Sequence, residues 1–202
     1  MNLDYFYNYT GIPNNKDIFL FKETFNFYQS DKAINHNYDQ LYSALFKDKD
    51  VVNNILEIGI ARGSSLKSWK KIFINANIIG VDFDMSQMFL EDRINTYYLD
   101  QTKLNSYDEL REKCKNIKFD LIIDDGSHNF EESVNTLNKT LPWVQIGGWL
   151  IIEDIKQSLE NKWKNIIKNI SDEYDVFLLN MMDICNRSGF DDNIVLAIKR
   201  IK

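Results

Sequence analysis

From Asn53 onward, short apolar runs alternate with amphipathic stretches, and this alternation constrains the chain more than any other feature. Runs of four to eight apolar residues bounded by turn signals read as strands buried on both faces, and strands alternating with helical patterns imply a parallel sheet with helices on both sides. The strand-like runs are Asn54–Ile58, Ile78–Val81, Tyr97–Leu99, Phe119–Ile123 and Trp149–Ile152. The helix-like runs between and after them are Ser64–Phe73, Tyr107–Cys114, Phe130–Leu141 and Ser158–Ile170. The pattern then changes. Val176–Met181 and Ile194–Ile201 are strand-like with only a loop around Ser188-Gly189 between them, so they should pair antiparallel. The expected fold is therefore α/β and Rossmann-like, a mostly parallel sheet closed by a C-terminal antiparallel hairpin.

Residues 1–50 read differently. Asp17–Tyr28 and Tyr38–Phe46 are helical patterns joined by Ser30 to Asn37, and no Pro/Gly/Ser-rich linker separates them from the rest. They are expected to form a small helical cap over the sheet's C-terminal edge, within the same domain as residues 51–202. The aromatics Tyr5, Phe6, Tyr7 and Tyr9 are expected to pack on the core, as are Trp69, Trp143, Trp149 and Trp163.

In an open α/β sheet, ligands bind beyond the C-terminal ends of the strands. Two strand ends here carry acids: Asp124-Asp125-Gly126-Ser127-His128 follows Phe119–Ile123, and Glu153-Asp154 follows Trp149–Ile152. Crowded carboxylates share protons or hold a cation, and oxygen ligands suit a hard divalent ion such as Mg²⁺ or Mn²⁺. Loop composition alone also places acids after strands.

The first strand runs into Leu56-Glu57-Ile58-Gly59-Ile60-Ala61-Arg62-Gly63-Ser64-Ser65, whose glycines permit a tight turn and close approach of a ligand. Asp82 ends the second strand, where an acid can accept from ribose hydroxyls, and Asp100-Gln101 ends the third, within reach of an adenine. A P-loop would need a lysine after Gly63, and a dinucleotide fingerprint would need glycine where Ala61 stands. Glu57, an anion, would repel a pyrophosphate and suits the cationic end of S-adenosylmethionine.

Composition narrows the partners. A net charge of −6 gives no sign of nucleic-acid binding. Cys114 and Cys185 lack metal or disulfide spacing, the N-terminus lacks the features of a signal peptide, and no apolar run is long enough to span a membrane. A cytoplasmic protein acting on a small molecule is expected, with homo-oligomerisation left open.

Leu-Glu-Ile-Gly-x-x-x-Gly, Val81-Asp82, Asp-Asp-Gly-Ser-His and Ile152-Glu153-Asp154 resemble the class I S-adenosylmethionine-dependent methyltransferases. The likeness is greatest to the metal-dependent macrolide sugar O-methyltransferases of the mycinose pathway and to the cephalosporin hydroxylase-like family. Ser30-Asp31-Lys32 with His36, Tyr38 and Tyr42 resembles the same family's N-terminal motif, so the likeness covers Ser30 to Lys202. It implies Asp125, Glu153 and Asp154 as metal ligands and His128 as general base. It also implies Glu57, Gly59, Asp82 and Asp100 as holders of the methyl donor, with Arg62, Gly63, Gln101 and Asp124 beside them. His36, Tyr38 and Arg187 are candidates for contact with the acceptor. The implied reaction is methylation of a sugar hydroxyl. Another small hydroxyl or phosphate-bearing acceptor, or a non-catalytic adenosyl-binding role, remains as an alternative. The macrolide enzymes carry a further N-terminal domain not found in these residues, so acceptor and oligomeric state do not transfer. Hydroxylation is not implied either, since no pair of histidines with a carboxylate is available for non-haem iron.

Overall fold

The computed structural model describes residues 3–181 and 191–202, so Arg187, Ser188-Gly189 and Cys185 lie outside the described residues. Among the described residues, eight strands form one sheet in the order β3-β4-β2-β1-β5-β6-β8-β7. The parallel strands are β1 (Asn54–Ile58), β2 (Asn77–Asp82), β4 (Ile94–Tyr98), β5 (Phe119–Asp124) and β6 (Val144–Ile155). β8 (Ile194–Arg200) lies antiparallel to both β6 and β7 (Tyr174–Asn180), which is the expected terminal hairpin. The five central strands are parallel, the strand order turns between β1 and β5, and their C-terminal ends face one crevice.

Two apolar layers flank the sheet. On one face α1 (Leu3–Thr10), α2 (Asn15–Phe27), α3 (Asp31–Ile34), α4 (Tyr38–Leu45) and α5 (Ser64–Ile72) pack over Ile55, Leu121, Ile123, Trp149 and Ile151. On the other, α6 (Leu104–Lys113), α7 (Phe130–Thr140) and α8 (Glu160–Ile167) cover Leu56, Ile58, Ile122, Leu150 and Ile152. The alternation of these side chains along β1, β5 and β6 follows from the two-residue period of a strand. Phe21 and Phe25 of α2, Leu41 of α4 and Leu66 of α5 are fully or almost fully buried, and each contributes roughly 1.5–3 kcal/mol by leaving water. Trp69 ties the layer together, edge-on to Phe25 at 5.1 Å and to Tyr42 at 4.7 Å between ring centroids. All four tryptophans are buried.

Several expectations change. The N-terminal helices share one face of the sheet with α5 and are not confined to its C-terminal edge, because α1 and α2 also carry buried aromatics. Tyr5 to Tyr9 form a helix, α1, in which Phe6 is buried while Tyr5 and Tyr9 are largely exposed. The connector from Ser30 to Asn37 contains the one-turn helix α3. β4 starts at Ile94, earlier than its apolar residues suggest, because polar Asn95 and Thr96 belong to it; it pairs with the two-residue β3 (Leu90–Glu91), which the sequence did not announce. β6 is longer than expected at both ends, so Glu153 and Asp154 lie within the strand and not after it.

Candidate active site

A cleft of about 1000 Å³ opens at the C-terminal ends of β1, β2, β4 and β5. Its wall includes Gly59 and Arg62 after β1, Asp82 at the end of β2, Asp100 and Gln101 after β4, and Asp125 and His128 after β5. The cap adds Gln29, Ser30 and Asp31. Gly59 sits at φ +84, and a Cβ there would run into the Asp125 carbonyl oxygen, so only glycine lets the β1 and β5 turns come this close. Asp82 latches the β1 turn: its Oδ2 accepts the backbone N–H groups of Ile60 at 3.0 Å and Ala61 at 3.1 Å. Asp100 accepts from the Thr102 hydroxyl at 2.6 Å, which with Lys103 holds its carboxyl below the ordinary value.

The two aspartates of Asp-Asp-Gly-Ser-His face opposite layers, as successive residues at a strand end must. Asp124 points to the α6–α7 side, where Gln101 Nε2 donates to its Oδ1 at 2.9 Å. Burial pushes its carboxyl up to about 6 although these hydrogen bonds pull the other way. The Gln101 amide also donates to Thr136 Oγ1 at 3.0 Å and accepts the Ser127 N–H at 3.0 Å, so it clamps the loop that carries His128. Asp125 points to the cap side. There Lys32 Nζ lies 2.8 Å from Asp125 Oδ2 and 3.4 Å from Glu57 Oε1, and it also donates to Glu153.

Glu153 and Asp154 reach this cluster together because β6 carries an irregularity between Ile152 and Ile155. In a regular strand they would point to opposite faces. The bulge sets Asp154 at φ +53, a left-handed conformation that strains a non-glycine residue, as it does at His128 (φ +55) and Ala61 (φ +43). Ala61 and His128 line the cleft, and Asp154 lies beside His128 and Asp125. Tyr42 donates to Glu153 Oε1 at 2.7 Å, Tyr38 to Asp154 Oδ1 at 2.6 Å, and His36 Nδ1 lies 3.2 Å from the same oxygen. The cap thus meets Glu57, Asp125, Glu153 and Asp154 each with a cation or donor.

The electrostatics follow from this crowding. Burial pulls the Lys32 ammonium's pKa down, but Asp125, Glu153 and Glu57 outweigh it and hold it well above the ordinary lysine value. Glu57 is pushed up to about 7 by burial, against the attraction of Lys32. Asp154 is pushed up to about 6 by burial and then by the charge of Asp125, and burial raises Glu153 as well. One ammonium therefore serves a group of carboxylates that burial alone would protonate.

Among the described residues, Asp125, His128 and Asp154 offer ligand atoms that all lie within 4.8 Å of one another. Glu153 is beneath them, with both oxygens already accepting a hydrogen bond. Of the residues expected to hold a cofactor, Gly59, Arg62, Asp82, Asp100 and Gln101 line the cleft, whereas Glu57, Gly63 and Asp124 do not. Glu57 is buried under the cap, where Trp69 Nε1 donates to it at 2.9 Å. His36 and Tyr38 are buried and stacked on each other, 4.9 Å between ring centroids. The sequence reading assigned no role to Lys32, although its place in Ser30-Asp31-Lys32 was the available signal.

Residues 56–155 match the family described as a methyltransferase domain. The rhamnosyl tetracenomycin-C 2′-O-methyltransferase of Streptomyces olivaceus is 32% identical over 139 residues, which is 64% of this chain and 36% of that protein. Demethylmacrocin O-methyltransferase of Streptomyces fradiae is 35% identical over 108 residues, 50% of this chain and 27% of its own length. The chain thus spans about a third of the curated relatives it matches. The crystal structure of MycE methyltransferase from the mycinamycin biosynthetic pathway, in complex with Mg and SAH, superposes with a TM-score of 0.70 at 24% identity, covering 90% of this chain and 55% of MycE.

Proposed function

We propose that this chain, whose residues 56–155 match the methyltransferase-domain family, transfers a methyl group from S-adenosylmethionine to a sugar hydroxyl of a small molecule, with the help of a divalent cation. The observation that carries this reading is the convergence of Asp154 on Asp125 and His128, which line a cleft built on the β1 and β2 ends. The names of both curated relatives specify O-methyl transfer, one of them on a rhamnosyl-bearing compound, and these support the acceptor class.

The residues fit both groups. Asp125, Glu153 and Asp154 form a set of hard oxygen donors; each oxygen of Glu153, though it already accepts from Lys32 or Tyr42, keeps a second lone pair. A divalent cation held there supplies stabilisation of negative charge on the acceptor oxygen. Asp82 and Asp100 suit the nucleoside part of the donor, which supplies an electrophilic methyl group. His128 stands exposed on the cleft wall, where its imidazole can take the proton of an approaching hydroxyl. Lys32 draws the carboxylates together, and Tyr42 orients Glu153. Asp124 and Gln101 set the loop on which Asp125 and His128 ride.

Calorimetry with S-adenosylhomocysteine, followed by assay of methyl-donor consumption against sugar-bearing acceptors with and without EDTA, tests the proposal. Expected are donor-product binding that survives chelation and turnover that does not. Binding of NAD or ATP with no response to S-adenosylhomocysteine would overturn it.

A further inference from the structure

Ser30 stands at the N-cap position of α3, where a serine ordinarily accepts a backbone N–H, yet its side chain makes no capping bond. The residue is only 3% exposed, and its Oγ is buried without a hydrogen-bond partner. Ser30 nevertheless belongs to the wall of the cleft. A buried hydroxyl with no partner bears its full desolvation penalty, so a position of this kind calls for a group that arrives from outside.

We infer that the Ser30 hydroxyl hydrogen-bonds the amino-acid end of the methyl donor, donating to its α-carboxylate. The inference rests on the donor reading above and deepens it. S-Adenosylmethionine has three chemically distinct parts: a nucleoside, a sulfonium and a zwitterionic amino acid. Asp82 and Asp100 mark the wall suited to the nucleoside, and Asp125 with His128 marks the place of transfer. The cap side of the wall is polar as well, with Ser30 and Asp31 there and Ser64 and Ser65 at the start of α5. There α5 begins after Gly63 with no side-chain cap, so its first N–H groups are also open to a carboxylate. Asp31 is exposed on the same wall, an anion placed to meet the ammonium. On this view the cap contributes directly to donor recognition.

The test compares S-adenosylhomocysteine with 5′-methylthioadenosine, which shares the nucleoside and sulfur but lacks the amino-acid end. Calorimetry is run on the parent chain and on Ser30→Ala, with thermal melts of the ligand-free proteins alongside. Since the Ser30 hydroxyl makes no hydrogen bond in the free protein, the variant should melt with the parent. Loss of a hydrogen bond to a charged group predicts roughly tenfold weaker binding of S-adenosylhomocysteine, with 5′-methylthioadenosine hardly affected. Ser30→Thr, which keeps the hydroxyl, should retain most of the affinity. Unchanged affinity for S-adenosylhomocysteine in Ser30→Ala, or equal losses for both ligands, overturns the inference and leaves the donor reading standing. Failure of the parent chain to bind either ligand overturns both.

Discussion

Asp124 and Asp125 differ in nothing but the face of the sheet they point to, and that difference separates their chemistry. Asp124 is buried, and its carboxyl is displaced from 3.8 to about 6. A folded-state pKa above the unfolded one means that the folded protein binds the proton more tightly. The stability this adds is fully present below about pH 3.8 and is lost as pH rises through about 6. The span corresponds to about 3 kcal/mol at most. Asp124→Asn keeps an acceptor for Gln101 and abolishes this titration, so the variant should melt higher than the parent at neutral pH, with the gap closing as pH falls toward 4 (thermal melts across that range, about pH 4–8). Parallel melting curves would show that the carboxyl titrates normally. His128 poses the complementary question, because it is close enough to Asp125 and Asp154 to act as a ligand as well as a base. As a base, its replacement by alanine should lower kcat by about 10²–10⁴-fold while Mg²⁺ affinity, measured by calorimetry, barely changes. A joint collapse of metal affinity and activity would make it a ligand. That these residues matter was legible from their place after an apolar run. That Asp124 faces away from Asp125, and that Gln101 clamps the loop, depends on contacts with α7 more than thirty residues downstream of Gln101, which periodicity does not encode.

At the scale of elements, the strands were the legible part and the cap the less legible one. β1, β5 and the β7–β8 hairpin were plain because both faces are buried or the reversal is short. β6 shows what pattern reading leaves out. Its apolar core, Trp149 to Ile152, announces the strand, but the bulge that brings Glu153 and Asp154 to one side replaces alternation with strain at Asp154. α3 is a single turn and carries no period to detect. It nevertheless supplies Lys32, whose ammonium joins elements far apart in the chain: β1 through Glu57, the β5 loop through Asp125 and β6 through Glu153. Removing one partner from a buried ionic cluster leaves uncompensated charge. Lys32→Met should therefore destabilise the metal-free protein by about 3–5 kcal/mol in urea unfolding, and adding Glu153→Gln should recover part of that loss. Independent, additive effects of the two substitutions would mean that the ammonium does not hold the strand ends together.

For the molecule as a whole, the placement of the carboxylates depends on the cap and the sheet sharing one core. Phe6, Phe21, Phe25, Leu41 and Tyr42 belong to the same buried cluster as Ile55, Leu121, Ile123 and Ile151 of the strands. No comparable apolar layer would cover that face of the sheet without α1 to α4, and Glu57, Asp125 and Glu153 would lose Lys32 and Tyr42 with it. We therefore expect residues 1–50 and 51–202 to unfold as one cooperative unit. The tryptophans allow a test, since Trp69 and Trp149 sit in the cap-side layer while Trp143 and Trp163 sit in the other. In variants that keep one pair and replace the other with phenylalanine, fluorescence should report the same urea midpoint from either layer, coincident with loss of far-ultraviolet circular dichroism in each variant. An earlier transition seen only through Trp69 and Trp149 would instead make the cap a separately folding lid, and the geometry of Asp125, Glu153 and Asp154 would then vary with its closure.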